Sequence, residues 1–122
     1  MRVRFVAEKG NKGSDDVEVV LEGIKNLPKF ILITAEDFRT PVATGKAFIE
    51  GNELMIEADL REQEFSLYPT IGFESIIEVA ANGSVIIRES ELHTVSLQPV
   101  PNNDPAIKTI SEQISEGTAQ LI

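Results

Sequence analysis

Thr70 stands two residues before a glycine in the run YPTIGF, with a proline directly in front of it. A hydroxyl held on a constrained turn is what a nucleophilic enzyme presents to its substrate. In an ordinary β-protein the same run makes a bulge or a corner. Pro69 removes a ladder donor there, and Gly72 permits close backbone approach. Nucleophilic chemistry also needs a base within hydrogen-bond reach and a third group to orient that base. The chain has one histidine, His93, and no cysteine, which excludes thiol chemistry and disulfides and leaves few bases. His93, beside Leu92 and Val95, reads as a packed or hydrogen-bonded structural residue.

Other chemistries find less support. A metal centre needs several His, Cys or carboxylate ligands converging. Here the 20 acidic residues are scattered at strand spacing, as on a solvated face, so no metal site is expected. No G-x-G-x-x-G and no G-K-[ST] follows a strand, and TGKA, from Thr44 to Ala47, opens a strand rather than a helix. No cofactor is therefore expected. Carboxylate pairs of the glycosidase kind always exist among so many acids, and nothing singles one out.

The elements that must position these residues are mostly strands. With 122 residues the chain reads as a single domain, 1–122, able to build one core. Its 42% hydrophobic and 25% charged residues are ordinary for a globular protein. A net charge of −9 argues against nucleic acid as a partner. No apolar run approaches a membrane span, and the first ten residues lack the pattern of a signal peptide. The absence of cysteine fits a reducing compartment.

RVRFVAE alternates Val3, Phe5 and Ala7 against polar neighbours, as a half-buried strand does. NKGSDD reads as a loop. VEVVLEGI fits both periods, and its valines favour a strand. KFILITA, from Lys29 to Ala35, predicts a strand buried on both faces, and EDFRTP a turn. Lys46 to Glu50 and Glu53 to Leu60 predict a hairpin turning at Gly51-Asn52. REQE is a short charged connection. Ile71 to Val79 predicts a strand, ANGS a turn, and Val85 to Arg88 its partner. A last strand runs from Leu92 to Val100, with Leu92, Thr94, Ser96 and Gln98 on one face and His93, Val95 and Leu97 on the other. The end of the chain predicts an amphipathic helix over 103–117. It is capped by Asn103 or Asp104, with Pro105 in its first turn, a stripe of Ile107, Ile110 and Ile114, and a stop at Gly117. The helix packs on the strands or on a partner. The resulting class is mainly β (α+β), a small closed or nearly closed antiparallel barrel with one C-terminal helix.

Three stretches, in order, resemble the prohead (capsid maturation) proteases of tailed bacteriophages, which have a herpesvirus-protease-like barrel. They are EDFRTPVATGKAFIEGNELMIEADL, TIGFES and IIRESELHTVSLQPVPNNDPAI, and together they span about Glu36 to Ile107. The second is similar to the family's S-I-G-F, and the third to its acidic strand, E-V-S-L-V run and Pro-Asn turn. The resemblance places the family's histidine on Glu36, its serine on Thr70 and its acid on Thr94. All three positions depart from the family's residues. A glutamate titrates near about 4.3 and is a poor base for a hydroxyl. Thr94 supplies no orienting charge. Four residues, REQE, replace the helix that the family carries before S-I-G-F, and they are too few for one.

The resemblance thus implies a catalytically inactive structural or interaction protein in phage or prophage head assembly, with vestigial triad positions Glu36, Thr70 and Thr94. Its expected partners are phage capsid or scaffold proteins or a second copy of itself, with no nucleic acid and no membrane. Its expected place is the bacterial cytoplasm or the virion. The alternatives are a residual hydrolase using Thr70 with Glu36 as base, and an acidic β-barrel binding module unrelated to phage.

Overall fold

The computed structural model describes residues 1–10, 17–24, 30–81, 84–101 and 106–122. Strands β1 (Arg2–Lys9), β2 (Val17–Val19), β3 (Ile31–Thr34), β4 (Pro41–Glu50), β5 (Glu53–Asp59), β6 (Tyr68–Ala81) and β7 (Ser84–Gln98) precede helix α1 (Ile110–Glu116), and β8 (Gln120–Leu121) follows it. Over the described residues the protein is mainly β with one α-helix, and the eight strands there form one curled half-barrel sheet, ordered β2-β7-β3-β4-β5-β1-β8, with β6 on the other side of β7.

The expected barrel is not closed. Among the described residues no ladder joins β6 to β1 or β8. Nor is it all antiparallel, since β7 runs parallel to both β2 and β3. One long strand serves two short ones: Val85 to Ile87 pair with β2, and Thr94 to Ser96 pair with β3.

Alternation along β1 buries Val3, Phe5 and Ala7, as its period of two requires. They meet Leu54, Ile56 and Ala58 of β5, and Ile31 and Ile33 of β3, in a single core. On the outer face Arg2 and Arg4 both reach Glu57, at 3.1 and 3.4 Å. These two guanidiniums hold the Glu57 carboxyl below its usual range. KFILITA is trimmed to β3, where Leu32 is only half-buried, so burial on both faces is incomplete. The hairpin turns at Gly51-Asn52 as its residues suggest, and β4 begins earlier, at Pro41. The VEVVLEGI strand stops at Val19 and gives way to a 3-10 turn over Leu21–Gly23 that buries Leu21. REQE forms part of a second 3-10 turn, Glu62–Ser66, which buries Phe65 and ties Glu64 to the Arg61 backbone N–H at 2.9 Å.

The last two predicted strands are one. β7 is continuous because its register with β6 absorbs three irregularities, between Gly72 and Phe73, Phe73 and Ser75, and Ile77 and Glu78. The first skips His93: Gly72 opposes Thr94, and Phe73 opposes Leu92. An extra residue in a strand reverses the alternation beyond it. Leu92 therefore joins Val95 and Leu97 in the core instead of sharing a face with Thr94 and Ser96. YPTIGF is likewise no corner between strands. Pro69 lies inside β6, opposite Leu97, and the bulge falls after Gly72.

Asn103, Asp104 and Pro105 lie outside the described residues, as do residues 11–16, expected as a loop, and residues 82–83 of the expected ANGS turn. The helix starts at Ile110, later than its predicted span, and its cap is Thr109. Thr109 Oγ1 accepts from the Glu112 N–H at 3.1 Å, and Glu112 accepts from the Thr109 N–H at 3.3 Å. This is a capping box, and its T-x-x-E spacing is present in TISE. Gly117 ends the helix at φ 82°, in the left-handed region that glycine enters without steric cost. The isoleucine stripe is divided. Ile110 is in the main core, whereas Ile107 precedes the helix and packs on Val6 and Met55, across the sheet.

Candidate functional site

The register determines what surrounds Thr70. Directly opposed residues in a ladder share a face, so Thr70, Ser96 and Thr34 form one row across β6, β7 and β3. Gly72, Thr94 and Leu32 form the next row. Both rows lie on the face away from the core, because Ile71, Val95 and Ile33 alternate with them inward. The result is a band of hydroxyls on an outer face, and most of it is nevertheless buried: Thr34, Thr94 and Ser96 are all under 3% exposed.

What covers them is the loop from Ala35 to Thr40. The Ala35 carbonyl accepts from Ser96 Oγ at 2.7 Å, from Thr34 Oγ1 at 3.0 Å and from the Phe38 N–H at 3.1 Å. The Gln98 side-chain amide donates to Ser96 Oγ at 2.7 Å and to the Glu36 carbonyl at 3.0 Å. Asp37 closes the turn, accepting from the N–H groups of Arg39 and Thr40 at 2.9 and 2.8 Å and from the Thr40 hydroxyl. That hydroxyl first, then the two amides, hold the Asp37 carboxyl down at about 2. An aspartate bonding its own backbone two and three residues on is standard turn chemistry.

The loop forces Phe38 to φ 59°, the one left-handed non-glycine among the described residues. For a bulky side chain this conformation costs on the order of 1 kcal/mol or more. Its ring comes down on Gly72. A Cβ at Gly72 would stand 3.2 Å from the Phe38 ring and 2.5 Å from Thr94 Oγ1. Gly72 is thus required for close approach, not for an unusual φ. Beside Gly72, Thr94 Oγ1 is buried and has no hydrogen-bond partner. Leaving a buried hydroxyl unpaired costs about 1–3 kcal/mol.

The three positions singled out by the sequence are brought to one end of the sheet, yet they do not form a triad geometry. Thr70 and Thr94 share a face but sit on a diagonal, where neighbours are roughly 7–8 Å apart. Glu36 is held only by its carbonyl, and its side chain is exposed. His93 is exposed at the bulge, while Thr94 faces the loop. Sequence reasoning put Ser96 and Gln98 on one face with Thr94 but gave them no role, and it passed over Phe38. The alternation T-x-S-x-Q from Thr94 to Gln98 was a visible signal of a polar face, but nothing local said that a loop would cover it.

Among the described residues no three His, Cys, Asp or Glu side chains converge as metal ligands. No described helix is long and apolar enough to cross a membrane. No protein-family model, curated protein or solved structure matches the chain.

Proposed function

We propose that the chain is a catalytically silent, prohead-protease-like half-barrel that serves phage or prophage head assembly by binding capsid or scaffold proteins. The observation that supports this reading is the condition of the Thr70–Thr94 face. Both hydroxyls sit where the resemblance puts a nucleophile and an acid, and no imidazole faces them. A serine-type hydrolase needs its base within about 3 Å of the nucleophile. The loop at Glu36 instead engages the sheet through backbone carbonyls, and Phe38 closes over Gly72, so the face on which a triad would have to meet its substrate is covered.

The test has two arms. A fluorophosphonate probe should leave Thr70 unlabelled, and the purified protein should not cleave a capsid precursor encoded beside it. The same protein should co-sediment with assembled proheads of that precursor. Stoichiometric labelling that disappears in Thr70→Val would establish the hydrolase instead. Failure to co-sediment would remove the assembly role. A second diagnostic variant, Glu36→His with Thr70→Ser and Thr94→Glu, asks whether the scaffold retains triad geometry, and peptide hydrolysis by it would tie the site to the protease family.

A further inference from the structure

We propose that Phe38 is a displaceable plug in a slot that takes the phenol ring of a tyrosine from a partner polypeptide. The slot has a floor and a wall, and the wall carries an unanswered polar atom. Its floor is Gly72, where an added Cβ would collide with Thr94 Oγ1 at 2.5 Å and press on the Phe38 ring at 3.2 Å. The floor therefore accepts a flat ring only because the glycine is bare. Its wall is the Thr94 hydroxyl, 2% exposed and without a partner. Phe38 supplies the ring and no polar atom. A phenol supplies the same ring together with a hydroxyl that both donates and accepts, which is what Thr94 lacks.

The plug is held in a way that allows it to leave. The loop's hydrogen bonds run through the Ala35 and Glu36 carbonyls and through Asp37. The Phe38 ring takes part in none of them, and it is 39% exposed. Displacing the ring would break none of these hydrogen bonds. Its strained backbone, at φ 59°, marks a conformation imposed by its surroundings, as self-occluding contacts are. The tyrosine must come from another polypeptide. The single tyrosine of this chain, Tyr68, lies on β6 four residues from Gly72, roughly 13 Å away at strand rise. The slot requires no protease ancestry and stands apart from the assembly reading.

The experiment titrates isotopically labelled protein with N-acetyl-tyrosinamide and with N-acetyl-phenylalaninamide, followed by NMR. Phe38→Ala should bind the tyrosine probe about 10-fold more tightly than wild type, since the self-occluded state no longer competes. Shifts should centre on Gly72 and the Thr94 methyl. Phe38→Ala should favour the tyrosine probe over the phenylalanine probe severalfold, and adding Thr94→Val should erase that preference. Gly72→Ala should block both probes. Equal affinity of Phe38→Ala for the two probes, or no shifts at Gly72 and Thr94, would overturn the proposal. If Phe38→Ala does not fold, the ring is a core residue rather than a plug, and the proposal falls as well.

Discussion

Gln113 and Thr94 are polar side chains sealed to nearly the same degree, at 3% and 2% exposure. Gln113 projects from α1 onto the edge of β1, where its Oε1 accepts from the Val6 N–H at 2.8 Å and its Nε2 donates to the Val6 carbonyl at 3.0 Å. The same Nε2 donates to the Lys108 carbonyl at 3.0 Å. The side-chain amide thus imitates one residue of a neighbouring strand. Further along the same edge, β8 pairs with Val3 and Arg4. Thr94, across the sheet on β7, has no hydrogen-bond partner for its hydroxyl and stands beside Gly72, on which the strained Phe38 rests. Burial makes an unpaired polar group costly, so the first arrangement contributes stability and the second subtracts from it. The pattern separates a region that secures the fold from a region that carries a local cost, which the slot proposed above would account for. Four measurements break or sharpen that contrast.

The largest effect belongs to Gln113. Gln113→Leu keeps the volume but strands the Val6 N–H and carbonyl inside the protein. Urea unfolding should show a loss of about 3 kcal/mol. A loss below about 0.5 kcal/mol would mean that water reaches the β1 edge and that α1 does not seal it.

Gly72→Val comes next. The added branch must displace Thr94 Oγ1 or the Phe38 ring, and overpacking of this kind costs about 1–3 kcal/mol. Phe38→Ala in the same chain should return part of that cost, because one of the two obstacles is gone. An additive double variant would show that Phe38 does not rest on Gly72 in solution.

Much of the scaffold was legible in the sequence. Val3, Phe5 and Ala7 alternate into the core because period-two patterning needs no tertiary information. The Gly51-Asn52 hairpin and the Gly117 stop follow from local backbone chemistry. What failed to show depended on distance along the chain. The placement of Leu92 in the core turns on a bulge, and a bulge at His93 is set by the match of two long strands rather than by its neighbours. The division of Ile107 from Ile110 turns on a helix that is capped by Thr109 and begins at Ile110, and the TISE capping box was masked by the more obvious Asn-Asp-Pro run upstream. At the candidate site Thr70, Thr94 and Glu36 could be named from order and spacing. The covering loop could not, because the hydrogen bonds that tie Ala35 and Glu36 to Ser96 and Gln98 span about sixty residues of sequence.

A smaller effect concerns the loop's own lock. The Asp37 carboxyl titrates at about 2 because the Thr40 hydroxyl and two backbone amides favour its charged form. With the folded value below the unfolded one, whatever the lock adds to stability is present above about pH 4 and is lost as pH falls through the folded value. The amide shifts of Arg39 and Thr40 should therefore hold steady through pH 4 and move together near the lower value. Thr40→Val should bring their midpoint up toward the ordinary aspartate range. Amides that already titrate near pH 4 in the wild type would mean that the turn is open in solution and that Phe38 is not held down by it.

The smallest change expected in stability is the one that bears most directly on the contrast between the two regions. Thr94→Val replaces the unpartnered hydroxyl with a methyl of nearly the same size. If that hydroxyl contributes nothing to folding, urea unfolding of Thr94→Val should match the wild type or exceed it by up to about 1 kcal/mol, while Gln113→Leu in parallel loses about 3. A loss of more than about 1 kcal/mol in Thr94→Val would show that the hydroxyl has a structural partner in solution, and the slot beneath Phe38 would then be part of the fold's own bonding rather than a site held open for another molecule.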